Sequence, residues 1–118
     1  MQAREAVGRY GEKVAARYLE MQGFTVLQRR WRCPQGEIDI VAVDGVCLVV
    51  VEVKTRRSVA AGTPQEAVTL AKLARLRRLT FLWLQQQEIS WRDVRIDVVT
   101  VLIPRAGASR VEHLRAVG

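Results

Sequence analysis

Two apolar stretches that meet at Asp44-Gly45 limit what this chain can fold into more than any other feature. Residues 37–43 and 46–54 are dominated by Val, Ile and Leu, and Asp-Gly between such runs is favoured chemistry for a two-residue hairpin turn. The spacing predicts Val43 opposite Val46, Glu37 opposite Glu52 and Asp39 opposite Val50. The second run is apolar at almost every position from Val46 to Val53, as in a central strand buried on both faces. A chain of 118 residues holding such a strand forms one domain, residues 1–118, with a single modest core.

The hairpin also carries charge. Directly opposed residues project to the same side of a sheet, and side chains alternate along each strand. In the predicted register Glu37, Asp39, Glu52 and Lys54 therefore share one face, with Asp39 diagonal to Glu52 at about 7–8 Å. Carboxylates so placed repel one another and lose hydration, and a divalent cation that prefers oxygen ligands relieves both problems. Asp39 and Glu52, with the Val53 carbonyl, are thus candidate ligands of Mg²⁺ or Mn²⁺. Such an ion polarises a phosphoryl oxygen and lowers the pKa of its water, and Lys54 is within reach to orient that water or offset developing charge. A lone Glu-x-Lys on a strand arises often by chance, and the bland reading is a solvent-facing salt bridge. Glu37 is either a further ligand or the partner of a turn amide or an arginine.

Around the hairpin the periodicities predict a helix over residues 3–22, a strand over 24–31 and a turn at Cys33-Pro34-Gln35-Gly36. Thr63-Pro64-Gln65-Glu66 reads as a capped start of a second helix that runs to about Gln87. Residues 93–103 form another strand, and 111–114 a short edge strand. The order helix, three strands, helix, strand predicts an α/β fold. A mixed central sheet is flanked by helices, and the second helix crosses between parallel neighbours.

The charge balance narrows the class of partner. There are 19 Lys and Arg against 12 Asp and Glu, a net charge of +7, and all but three of the cations are Arg, whose planar fork suits phosphate. A nucleic acid is the expected partner. Arg30, Arg32, Arg56 and Arg57 sit at strand ends flanking the acidic face and are candidate phosphate contacts. Lys72 and Arg75 lie near one another on the second helix, where they either follow a nucleic-acid backbone or form a solvated face. His113 is the sole histidine, and Cys33 and Cys47 lack metal-site spacing, so no zinc site is expected. The start of the chain is not a signal peptide and no apolar run approaches membrane length, which points to a cytoplasmic protein.

Gly36-Glu37-Ile38-Asp39-Ile40-Val41-Ala42 and Val51-Glu52-Val53-Lys54-Thr55-Arg56 together resemble the YraN family of predicted endonucleases. Matches extend to Gly11-Glu12 with Ala15, Ala16 and Leu19, to Gly62, Pro64 and Glu66-Ala67-Val68, to Lys72, and to Arg95 with Asp97-Val98-Val99. That family is similar to archaeal Holliday junction resolvases within the PD-(D/E)xK restriction-endonuclease-like superfamily. The resemblance implies a restriction-endonuclease-like αβββαβ core and a catalytic set of Asp39, Glu52 and Lys54, with Glu12 contributing from the first helix. From the residues alone, Glu12 is balanced between that role and a surface pair with Arg9. The superfamily's leading proline is replaced by Ile38, and the family's usual Asn near the end of the first strand stands here as Arg30 or Trp31. Resolvase-like relatives also suggest a homodimer, since cutting two strands symmetrically needs two sites.

The expected function is metal-dependent hydrolysis of phosphodiester bonds in DNA, including branched or structured DNA. A catalytically silent nucleic-acid-binding module with the same fold is the alternative, and a basic protein that docks an acidic partner is a third. Binding alone does not require acids on an inner sheet face, which favours the enzyme.

Overall fold

The computed structural model describes residues 2–57 and 68–118, with side chains from residue 5 onward. Its elements follow the order α1 (Gln2–Met21), β1 (Thr25–Cys33), β2 (Gly36–Asp44), β3 (Cys47–Arg56), α2 (Leu70–Gln85), β4 (Asp93–Leu102) and β5 (Arg110–Leu114). The five strands form one sheet in chain order, antiparallel except for the parallel pair β3 and β4. A parallel pair requires a crossover, and α2 lies within it.

Alternation along the central strands divides the core into two layers. Ile40, Ala42, Val49 and Val51 pack with Ala15, Ala16 and Leu19 of α1. Val41, Leu48 and Val50 pack with Leu73, Leu76, Leu79 and Trp83 of α2. β3 is thus buried on both faces, as its unbroken apolar run predicts. Each fully buried Val or Leu contributes roughly 1.5–3 kcal/mol relative to exposure, so this strand anchors both layers.

The hairpin turn differs from expectation. Asp44 pairs with Cys47, and Ile40 with Val51, so the turn residues are Gly45 and Val46 rather than Asp44 and Gly45. Gly45 takes φ +63°, the left-handed conformation that a tight hairpin needs at its first central position. Asp44 is held in the strand because its carboxylate accepts from Arg95 Nη2 at 2.9 Å. Moving the turn by one residue slides the pairing by two. A slip of one would reverse every side chain; a slip of two keeps the face of each residue and alters only who stands opposite.

The second helix also differs. The expected start at Thr63-Pro64 lies outside the described residues, but the chain is extended at Thr69, which caps α2 by accepting from the Lys72 N–H at 3.1 Å. This cap fixes Lys72 in the first turn of the helix.

Opposite the hairpin, a fully buried carboxylate ties the last two strands to the rest. Asp97 accepts from Arg95 Nε at 3.0 Å and from the Ala116 N–H at 2.9 Å, and meets His113 Nε2 at 2.7 Å. His113 Nδ1 in turn lies 3.1 Å from the Tyr18 hydroxyl on α1. The Arg95–Asp97 pair is structural. No described helix is long and apolar enough to cross a membrane.

Candidate functional site

The β2–β3 ladder runs from Asp44–Cys47 only as far as Ile40–Val51. Beyond that point the strands part. The backbone N–H of Val53 donates instead to Asp39 Oδ2 at 2.8 Å, so the Asp39 carboxylate fills the gap where a ladder bond would be. A strand residue directs its N–H and C=O to the same neighbour; the Val53 carbonyl therefore faces the same gap.

Asp39 reaches this position through a fault in alternation that two strands share. Ile38 packs on the α2 side and Ile40 on the α1 side, although residues two apart normally share a face. On the neighbouring strand Arg29 pairs with Ile40 and Trp31 with Ile38, which leaves Arg30 opposite Asp39. Arg30 has φ +53°. That left-handed conformation is unfavourable for a residue with a Cβ. Its effect is to turn Arg29 and Arg30, adjacent residues that a regular strand would send to opposite faces, toward the same carboxylate on α1.

That carboxylate is Glu12, 7% exposed. Arg29 Nε donates to its Oε1 at 3.2 Å, and Arg30 Nε lies 3.1 Å from both of its oxygens. Glu12 can sit so close to the sheet because Gly11 precedes it. A Cβ on Gly11 would overlap the Thr55 side chain of β3. The surface pair with Arg9 that the sequence offered as an alternative is not what engages Glu12.

Between α1 and the splayed strands lies an open cleft of about 540 Å³ lined by Glu12, Arg30, Arg32, Glu37, Asp39, Val53 and Lys54, among others. Glu52, buried beside Asp39, carries Lys54 Nζ at 3.5 Å from its Oε2. Burial, then the charge of Glu52, raises the Asp39 pKa to about 7, against the lowering effect of the Val53 N–H. At neutral pH the Asp39 carboxyl is therefore about half protonated. On the α2 side Lys72 lies against Lys54. That ammonium, with burial second, pushes the Lys72 amine below the ordinary lysine range, and Arg56 adds to the repulsion.

The structure therefore brings Asp39, Glu52, Val53 and Lys54 together, and adds Lys72. Glu12 borders the same cleft, but its oxygens are taken by arginine. Among the described residues, no three His, Cys, Asp or Glu side chains converge as a metal cage. Two carboxylates and a carbonyl still suit Mg²⁺, which keeps several waters and takes one or two protein carboxylates. Glu37 pairs with Arg32 at 3.4 Å, the arginine partner that its position allowed. Arg56 closes β3, where its carbonyl accepts from Ile103 N–H, while Arg57 and Arg75 are exposed. Arg29 was not anticipated from sequence; regular alternation gives no reason for it to join Arg30.

Fold and site together define a small basic α/β protein with a paired-carboxylate cleft at the open end of its sheet. The chain belongs to the uncharacterised protein family UPF0102, whose model matches residues 11–101. It is 62% identical to a UPF0102 protein of Beutenbergia cavernae over the whole of both chains. A UPF0102 protein of Arthrobacter sp. strain FB24 is 56% identical, again over the whole of both chains. Another, from Nocardioides sp., is 54% identical over 98% of this chain and 93% of its own.

Proposed function

We propose that this protein is a divalent-metal-dependent endonuclease of the restriction-endonuclease-like class, acting on DNA and, by the resemblance of its motifs to resolvases, on branched or structured DNA. The observation that supports this most directly is the half-buried Asp39 carboxylate set against the buried Glu52, with Lys54 Nζ 3.5 Å from the latter, in a chain of net charge +7. A purely structural arrangement gains nothing from two desolvated acids side by side.

In this reading Asp39, Glu52 and the Val53 carbonyl hold Mg²⁺ or Mn²⁺. When bound, the ion polarises the phosphate and makes its water more acidic. Lys54, turned toward Glu52, orients the attacking water and offsets charge on the phosphoryl oxygens. Lys72 presents a second ammonium on the α2 side, where an incoming phosphate relieves its repulsion with Lys54. Arg30, Arg32 and Arg56 steer the backbone without reading sequence. A nucleic-acid-binding module without turnover is the second reading, and the engagement of Glu12 by arginine favours it.

Incubation with linear, flapped and four-way DNA in Mg²⁺ or Mn²⁺, beside Asp39→Ala and Lys54→Ala, separates the two. Cleavage by the parent chain, reduced at least about 100-fold in both variants, is the expected result. DNA binding with no cleavage in either metal, unchanged by both substitutions, would leave the silent module standing.

A further inference from the structure

We propose that Arg30 is a built-in counter-cation that holds Glu12 away from the metal site until nucleic acid draws the arginine off, so that divalent cation and DNA bind cooperatively. The inference rests on the nuclease reading and deepens it by assigning a regulatory device to the same cleft.

Three observations carry it. Arg30 Nε sits between both oxygens of a nearly buried carboxylate, 3.1 Å from each, on the wall of the cleft that contains Asp39. The arginine is held there from a left-handed backbone conformation that its side chain disfavours, so the contact is made at the expense of local strain. Its side chain is also one-third exposed and borders the same cleft as Arg32, which puts the guanidinium within the volume that a phosphate backbone would enter. A guanidinium pairs with phosphate as readily as with carboxylate. Arg29 holds only Oε1 of Glu12, so transfer of Arg30 from Glu12 to a phosphate would free Oε2 toward the cation next to Asp39, and occupation of that site by a cation would release Arg30 toward DNA. Such linkage is reciprocal: whatever factor DNA adds to cation affinity, the cation adds to DNA affinity.

Arg30→Asn and Arg30→Gly are the decisive variants, because Asn and Gly tolerate φ +53° and either can keep the strand's local geometry. Ca²⁺, a hard cation of oxygen sites, serves as the probe. Calorimetry measures its binding to the free protein, and fluorescence anisotropy measures the affinity for a short DNA duplex with and without Ca²⁺ at constant ionic strength. In the parent chain Ca²⁺ is expected to tighten duplex binding by about 5-fold or more. In both Arg30 variants the free protein is expected to bind Ca²⁺ about 5-fold more tightly, with the enhancement by duplex largely gone. Glu12→Gln is expected to lose the enhancement without the gain in free-protein affinity, which distinguishes release of a ligand from mere loss of positive charge.

Equal Ca²⁺ affinity in the parent chain and both Arg30 variants would overturn the inference while leaving the metal site intact. Failure of every form to bind Ca²⁺, with duplex binding retained, would overturn the metal-dependent reading and this inference with it.

Discussion

Asp39 stores a pH dependence that can be read without any assay of function. Its carboxyl titrates near 7 in the folded chain because burial and then Glu52 disfavour the charge, whereas an unfolded Asp titrates near 4. The folded state therefore binds the proton more tightly. The stability this group lends is fully present below about pH 4 and is lost as pH rises through about 7. In EDTA, thermal melts of the parent chain should fall across that window. Asp39→Asn, which keeps the shape and removes the charge, should flatten the profile and raise Tm at pH 7.5, by on the order of 1 kcal/mol or roughly 4 °C. A profile unchanged by the substitution would mean that Glu52 does not press on Asp39 as the geometry requires. Arg30 is the other residue whose role depends on local conformation. The left-handed φ at Arg30 suits an Asn, and Trp31 is buried in the α2-side core.

At the scale of elements, two glycines on α1 have opposite meanings. Gly8 has open space where a Cβ would go, while Gly11 faces Thr55 of β3 too closely for one. Gly8→Ala should stabilise the chain by up to about 1 kcal/mol through helix propensity alone. Gly11→Ala should cost about 1–3 kcal/mol by forcing α1 off the sheet. Urea unfolding midpoints of the two variants should consequently move in opposite directions. The elements themselves were legible: apolar spacing placed α1, the central strands and the edge strand at residues 111–114 close to where they lie. What the spacing could not give was the register. Asp44-Gly45 looks like a complete turn on its own, and nothing local reveals that Arg95, far along the chain, will hold Asp44 in the strand. The slip itself is harmless because two residues preserve faces, but Asp39 joins Glu52 and Lys54 through the fault in alternation rather than by the predicted shared face. The fault in alternation at Arg30 and Asp39 was not legible at all. It exists only as a relation between two strands and a helix.

Across the whole molecule, Asp97 is the point at which distant parts of the chain are joined. Its carboxylate gathers Arg95 from its own strand, His113 from β5 and the Ala116 N–H, and through His113 it reaches Tyr18 on α1. The set is satisfied when His113 Nε2–H donates to Asp97 and the Tyr18 hydroxyl donates to Nδ1. The Arg95–Asp97 pair could be seen from a spacing of two residues, but the histidine and tyrosine could not, since only the closed sheet brings them together. Burial works to raise the Asp97 pKa, yet His113, Arg95 and the Ala116 N–H outweigh it and hold the carboxyl below its ordinary value. The sign is opposite to that of Asp39. This contribution is present above the unfolded value near 4 and is lost as pH falls through the lower, folded value. Asp97→Asn removes the buried carboxylate that accepts from Arg95, which keeps Asp44 as its partner, and from His113, and should cost about 1.5–3 kcal/mol at pH 6. Denaturant titrations at a series of pH values should show the gap between parent and variant closing below pH 4, as the parent's own carboxylate is protonated. A gap that stays constant down to pH 2 would assign the loss to packing and remove the buried charge from the account of how β4, β5 and α1 are held together.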